Sequence, residues 1–315
     1  MGVKNFDQLG FADMLVKQRK TKKQSSLEQI DARVDWQPLE RLLAPTRSTL
    51  GRKGYPPLMM FKALLLGKWH NLGDEALEFR LSDSLSFRKF AGLPLDHEAP
   101  DETSFVNFRK ALRAHQLDDK LFAEVVRQLD AAGLILRQGT IMDASLVEAA
   151  IKRPSEAEGE VASADPSAEF TRKNNKSYFG YKLHIGLDMG SGLIRKLMGT
   201  GASLHDGQAS SALISWDEAL VSGDKAYQSK TLSQELARVG IKDRIMRKKP
   251  AGKKAPGWQD WWNKAISSFR FEVEQPFSQG KGSMGLKRTR FRGLEKVEAD
   301  FYLFGLAYNL KRAFG

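Results

Sequence analysis

The sequence has no cysteine, which excludes disulfides and thiolate zinc sites and fits a reducing cytoplasm. It has only five histidines, none in His-Glu-x-x-His spacing, so a zinc enzyme of that type is not expected. Long apolar runs are also missing. The most apolar stretch, PPLMMFKALLLGKW, is interrupted by Lys62 and is too short to span a bilayer. The N-terminus, MGVKNFDQLGFADMLVKQRKTKK, lacks the uninterrupted apolar core of a signal peptide. A soluble chain with no membrane partner is therefore expected. Glycine-rich pieces such as GTGAS lack the Gly-Lys-Ser/Thr of a phosphate loop, which argues against nucleotide hydrolysis. No internal repeat is visible.

What the chain has in excess is positive charge. Lys and Arg number 50 against 38 Asp and Glu, a formal net charge of +12. The basic residues recur along the whole chain instead of lining one amphipathic helix, which points to nucleic acid and not to a membrane surface. The 315 residues, 41% of them hydrophobic, are enough for two domains with real cores.

Residues 1–26 end in the basic run KQRKTKKQSS and are expected to be a mobile segment. From Leu27 to Leu136 the patterning is helical. Prolines open one helix at PPLMMF, Asp74 is a plausible cap for the next, Gly-Leu-Pro stops another, and Asp101 or Thr103 caps PDETSFVNFRKALRAH. From Gly139 strands appear. GTIMDASLVEA is the first. Residues 152–177 are polar, contain two prolines and suggest a loop. YFGYKLHIGLDMGSGLIRKLMGTGAS makes two strands joined at Asp188–Gly192, with Asp188 as a turn residue and His184 as a packed or surface residue. A helix with Asp206 as its N-cap, the strand EALVSG, a further helix, the short strand KDRIMRK and two long helical patterns follow. The expected class is α/β: a mixed sheet flanked by helices, preceded by an all-helical N-terminal domain at 27–136, with the second domain at 137–315.

Two aspartates look out of place. Asp143 interrupts the apolar strand TIMDASL, and Asp224 ends the apolar run ALVSG; a carboxylate there is costly unless it caps, pairs or binds a cation. In FRFEVEQPFSQGK, Arg270, Glu274 and Lys281 share one flank of a helix and Glu272 points the other way, with a kink or end expected near Pro276. An Arg–Glu surface pair explains that spacing equally well. Two strand-end aspartates plus a helical glutamate would supply hard oxygen ligands suited to Mg²⁺ or Mn²⁺.

The chain from about Leu27 to its end resembles bacterial insertion-sequence transposases of family five, in the Asp-Asp-Glu class. The segment GYPPLMMFKALLLGKWHNLGDEALEFRLSDSLSFRKFAGL with PDETSFVNFRKAL is similar to their helical N-terminal domain. GTIMDASLVEA, KSYFGYKLHIGLD, HDGQAS and SGDKAYQS are similar to their catalytic core. The family signature of Tyr, two residues, Arg, three residues, Glu, six residues, Lys is matched by Arg270, Glu274 and Lys281; Ser267 stands at the tyrosine position. The resemblance singles out Glu274 over Glu272. It implies a ribonuclease H-like fold in which Asp143, Asp224 and Glu274 bind two Mg²⁺ ions, with Mn²⁺ as the alternative. It further implies a metal-dependent DNA transposase that cuts the inverted-repeat ends of the element and joins the freed 3′-hydroxyl to target DNA. A homodimer assembled on double-stranded DNA, in the bacterial cytoplasm at the nucleoid, follows from the same resemblance. The stretch between Asp224 and Glu274 is too short for the large β-rich insertion of some related transposases. A catalytically inactive protein that only recognises transposon ends is the alternative reading, and a plain metal-dependent nuclease is a third.

Candidate DNA contacts are Lys225, Arg270 and Lys281 beside the acidic residues. Lys248 and Lys249 belong to a basic run near Trp258, Trp261 and Trp262, and Arg288 and Arg290 to KRTRFRG. At least two of the three tryptophans are expected in the core. Asn107 and Arg109, with Ser104 and Lys110, would project from a recognition helix, for which a purely packing helix is the competing reading.

Overall fold

The computed structural model describes residues 22–47, 54–151, 164–173, 175–249, 256–268 and 270–315. Residues 1–21 of the N-terminal segment, 152–163 of the polar loop and 250–255 of the basic run lie outside them. The chain divides into two compact units. One comprises the described residues up to Leu129 together with Tyr302–Gly315, and the other runs Asp130–Phe301. The boundary expected after Leu136 thus falls inside the second unit, and the end of the chain belongs to the first. No helix among the described residues is long and apolar enough to cross a membrane.

The first unit holds α1 (Lys22–Arg33), α2 (Trp36–Leu43), α3 (Pro57–Trp69), α4 (Asp74–Asp83), α5 (Leu85–Ala91), α6 (Glu102–Ala114) and α7 (Asp118–Ala131). Prolines 56 and 57 open α3, where a missing backbone donor costs nothing. Almost every residue of α3 is buried, as expected for a helix apolar on all sides. Lys62 is tolerated there because its ammonium lies 2.6 Å from Asp31 and 4.3 Å from the centre of the Trp36 ring. Asp101 caps α6 by accepting from the Ser104 amide, and Gly92, at φ 76°, ends α5. Asp74 is not a cap. Gly73 takes that position and Asp74 becomes the first residue of α4. The chain end joins this unit through its own apolar surface: Tyr302 stacks near Phe122, and the Trp69 indole donates to the Ala307 carbonyl at 2.7 Å.

The second unit is built on β1 (Thr140–Glu148), β2 (Glu169–Lys173), β3 (Lys176–Asp188), β4 (Ile194–Gly201), β5 (Leu220–Gly223) and β6 (Lys242–Ile245). The order is β2-β3-β1-β5-β6, with β4 pairing β3. β1, β3 and β4 run antiparallel, while β5 and β6 continue the sheet parallel to β1. This is the ribonuclease H-like mixed sheet that the resemblance implies. Met142, Val221 and Ile245 send apolar side chains into one core with Leu213, Leu232 and Leu236. The last two lie on α8 (Lys230–Arg238), which packs against β6.

Two expectations are corrected. Residues 169–173 and 176–177, read as loop, form β2 and the start of β3, with Asn175 at φ 61° just before β3. β2 is an edge strand of mostly polar residues, so it carries no apolar alternation to betray it. The long pattern WQDWWNKAISSFRFEVEQPF is two helices, α9 (Gly257–Ser267) and α10 (Phe271–Ser283). The break precedes Arg270, and α10 runs through Pro276 to Ser283. Pro276 removes only the bond to residue 272 in the first turns, and its ring is buried in the stripe Val273, Pro276, Phe277 and Gly280, which offsets that loss. α10 packs against β1, and α11 (Leu294–Phe314) completes the chain.

Candidate active site

The parallel register of β1 and β5 pairs Thr140 with Val221, Ile141 with Ser222 and Met142 with Gly223. The next residues are Asp143 and Asp224, so the sheet itself sets the two carboxylates side by side where β5 ends. β1 continues antiparallel to β3, which holds Asp143 opposite Ile185. Asp143 Oδ1 accepts from the Ala144 amide, and Oδ2 accepts from Arg270 Nη2 at 3.2 Å. Burial pushes the Asp143 carboxyl above the usual carboxylate range; Arg270 opposes that rise and the neighbouring Asp224 adds to it. Asp224 Oδ1 caps the turn Lys225–Tyr227 through the Ala226 amide at 2.7 Å. Its role as a turn cap and its place beside Asp143 therefore coexist.

Arg270, Glu274 and Lys281 leave one flank of α10's buried stripe and Glu272 the other. Arg270 reaches Asp143 from that flank. Glu274 is exposed and makes no hydrogen bond or ion pair with the described residues. Glu272 accepts from the Gly190 amide at 2.9 Å, tying α10 to the β3–β4 turn. Among the described residues no three of His, Asp and Glu stand at metal-ligand spacing. The structure thus brings Asp143 and Asp224 together and leaves Glu274 outside the group, with a guanidinium supplying the counter-charge at Asp143. Ser267 donates to the Asn263 carbonyl of its own helix and takes no part.

The sequence did not single out Tyr227, whose side chain is fully buried and whose hydroxyl has no partner among the described residues. Burial, then the charges of Asp206, Asp143 and Asp224, push its pKa well above the usual tyrosine value. The two carboxylates that the sheet sets side by side are hard oxygen donors of the kind that suits a divalent cation with its waters. Asp206 is not the N-cap expected. His205 caps that 3-10 turn, and Asp206 pairs with Lys182 at 2.8 Å. His184 is fully buried against Thr200, and burial lowers its pKa to about 4. Asp188 receives the Leu136 and Arg137 amides and the Ser191 hydroxyl, a clamp on its turn.

The predicted DNA contacts fall into two groups. Lys225, Lys248, Lys249, Lys281, Arg288, Arg290 and Asn107 are exposed. Arg109 is not available: its guanidinium forms a two-pronged pair with Asp74. That pair is largely shielded, so Arg109→Ala should cost about 2 kcal/mol and lower the melting temperature of the protein, whereas Asn107→Ala leaves it unchanged; thermal unfolding of the two variants checks this. The tryptophans are a correction. Only Trp262 packs, donating to the Ile245 carbonyl under Arg244, while Trp258 and Trp261 are 62% and 70% exposed. Their helical spacing mimics a core stripe, which is why the sequence misleads here.

Two family models match the chain: residues 15–111 match the Transposase domain (DUF772), and residues 135–310 match the Transposase DDE domain. Among solved structures, the piggyBac transposase in the cryo-EM structure of its synaptic complex with hairpin DNA is similar over 92% of this chain and 73% of that one. The identity is 12% and the TM-score 0.45. With the DDE model matched over more than half its length, this chain belongs to the DDE transposase family.

Proposed function

We propose that the chain is an active DNA transposase that cuts the ends of its own element and joins them to target DNA, with Asp143, Asp224 and Glu274 as the acidic residues of the reaction. The observation that carries this reading is the placement of Asp143 beside Asp224 by the β1–β5 register. These two, with Glu274 from the flank of α10 that already reaches Asp143, would hold the divalent ions, Mg²⁺ or Mn²⁺. When bound, such ions polarise a scissile phosphate and lower the pKa of a bound water or hydroxyl. The protein's own work is positioning. The sheet fixes the aspartates, which stay partly open to solvent, and Arg270 offers a guanidinium that matches a phosphate as well as it matches Asp143. Lys225, directly after Asp224, places further positive charge beside them, and a pair of chains would hold the two ends together.

A second reading, recognition of ends without catalysis, draws support from the Arg270–Asp143 pair and from Ser267 at the signature tyrosine position. Labelled DNA from the flanks of the gene, incubated with the protein and Mg²⁺, separates the readings. Cleaved and joined products, abolished by a chelator, are the expected result. Binding without cleavage supports the second reading, and cleavage without joining marks a plain nuclease.

A further inference from the structure

At the far end of β1 from its first residue lies a cavity of about 450 Å³, lined by Glu148, Lys176, Ser177, Tyr178 and Arg288 among others. Its walls are fixed by the backbone. The Glu148 amide donates to the Lys287 carbonyl at 3.1 Å and the Thr289 amide donates to the Glu148 carbonyl at 2.9 Å, which pins Arg288 beside the strand end. Opposite, β3 starts at Lys176. A Cβ on Gly180, which has φ 156°, would lie 2.2 Å from the Val147 carbonyl, so only glycine permits this close approach of β3 to β1.

Among the described residues the charges around this cavity do not balance. Lys173 and Lys176 stand directly opposite each other across the β2–β3 turn. Like charges in that position destabilise an antiparallel pair. Neither makes an ion pair with the described residues. Lys281 lies near enough that partial desolvation and the Lys173 charge hold its pKa below the usual lysine value. Among the described residues Glu148 is the one carboxylate lining the cavity, and it is already taken by Arg288 at 3.2 Å. Nothing in the fold requires two lysines face to face at a hairpin tip. An anion between them turns repulsion into binding.

We propose that this cavity is a backbone-binding groove for duplex DNA, in which Lys173, Lys176, Lys281 and Arg288 hold phosphates of one strand, with the Ser177 hydroxyl as a neutral donor. The inference rests on the transposase reading above and adds a place to it. Glu148 lies five residues beyond Asp143 on β1. At about 3.3 Å per residue that is about 17 Å, so a duplex laid from the aspartates along β1 reaches the groove after about five base pairs. The contact is to phosphates and therefore sets register on the DNA without reading sequence.

Because the chain has no cysteine, a single K176C variant of the full protein can carry a photo-cross-linker at one position. A matching Q234C variant on α8, by the opposite edge of the sheet, is the control. The probe is a labelled duplex of about 30 base pairs, on which a salt dependence measured with wild type, K176E and K173E/K176E completes the test. K176C should cross-link and Q234C should not. The slope of log affinity against log salt should become shallower by about two in K173E/K176E, with affinity at low salt at least about tenfold weaker. K176E places a carboxylate opposite Lys173, so its melting temperature should not fall below wild type, which keeps the measurement clear of misfolding. Equal cross-linking from both positions, or an unchanged slope in a protein that still binds and cleaves DNA, would overturn the groove and leave the transposase reading standing. A wild-type chain that binds no duplex at any salt would sink both.

Discussion

Asp143→Asn should abolish DNA cleavage, by at least about a thousandfold, in a protein that melts no lower than wild type when metal is absent. The two halves of this expectation come from one cause. Burial raises the Asp143 carboxyl's pKa, and the Asp224 charge raises it further. The folded protein therefore binds a proton at this group more readily than the unfolded chain does. Between the ordinary aspartate value and the raised one, stability contributed by this group falls as pH rises, and above that window the ionised carboxylate is a net burden. Asparagine keeps the shape and removes the charge, so that burden and its pH dependence disappear together. The Arg270 pair, at 3.2 Å, lowers the pKa but does not outweigh burial. Melting curves without metal at several pH values, alongside a cleavage assay, check both halves. A clear drop in melting temperature would mean that the ion pair with Arg270 dominates and that Asp143 is a structural residue. Mg²⁺ should raise the melting temperature of wild type and not of Asp143→Asn, since only a protein with the ligand gains binding energy in its folded state.

Much of this was legible in the sequence because the relevant signals are local. A charged residue inside TIMDASL stands out against an apolar strand, and so does the aspartate that ends ALVSG. The hairpin at Asp188–Gly192 and the helix stop at Gly92 follow from glycine chemistry that acts within a few residues. What escaped depends on distant partners. β2 is made by backbone pairing to β3, and its Phe170 is half exposed with its ring near that of Phe179, so no periodicity records it. Arg109 looks free on a helix until Asp74 arrives from another one. The unpaired hydroxyl of Tyr227 and the lysines facing each other at 173 and 176 acquire meaning only once the strands are in register.

The two glutamates of α10 should separate cleanly. Glu274→Gln should lose cleavage by at least about a thousandfold, with no change in melting temperature, because its carboxylate is exposed and has no partner among the described residues to lose. Glu272→Ala should behave in the opposite way. Its carboxylate accepts the Gly190 amide at 2.9 Å and holds α10 to the β3–β4 turn, so losing it should cost about 1 kcal/mol, which for a unit of this size is about 2–4 °C of melting temperature. Cleavage by Glu272→Ala should persist within a few-fold of wild type, since the lost hydrogen bond shifts the helix without touching the aspartates. The helix geometry makes this contrast: residues 270, 274 and 281 share a flank whose arginine already reaches Asp143, and residue 272 lies on the other side of the buried stripe. Cleavage assays and melts of both variants, run side by side, decide it. A Glu272→Ala protein as inactive as Glu274→Gln, with its fold intact, would move the third acidic residue to the other flank of α10 and break the link between the signature and the site.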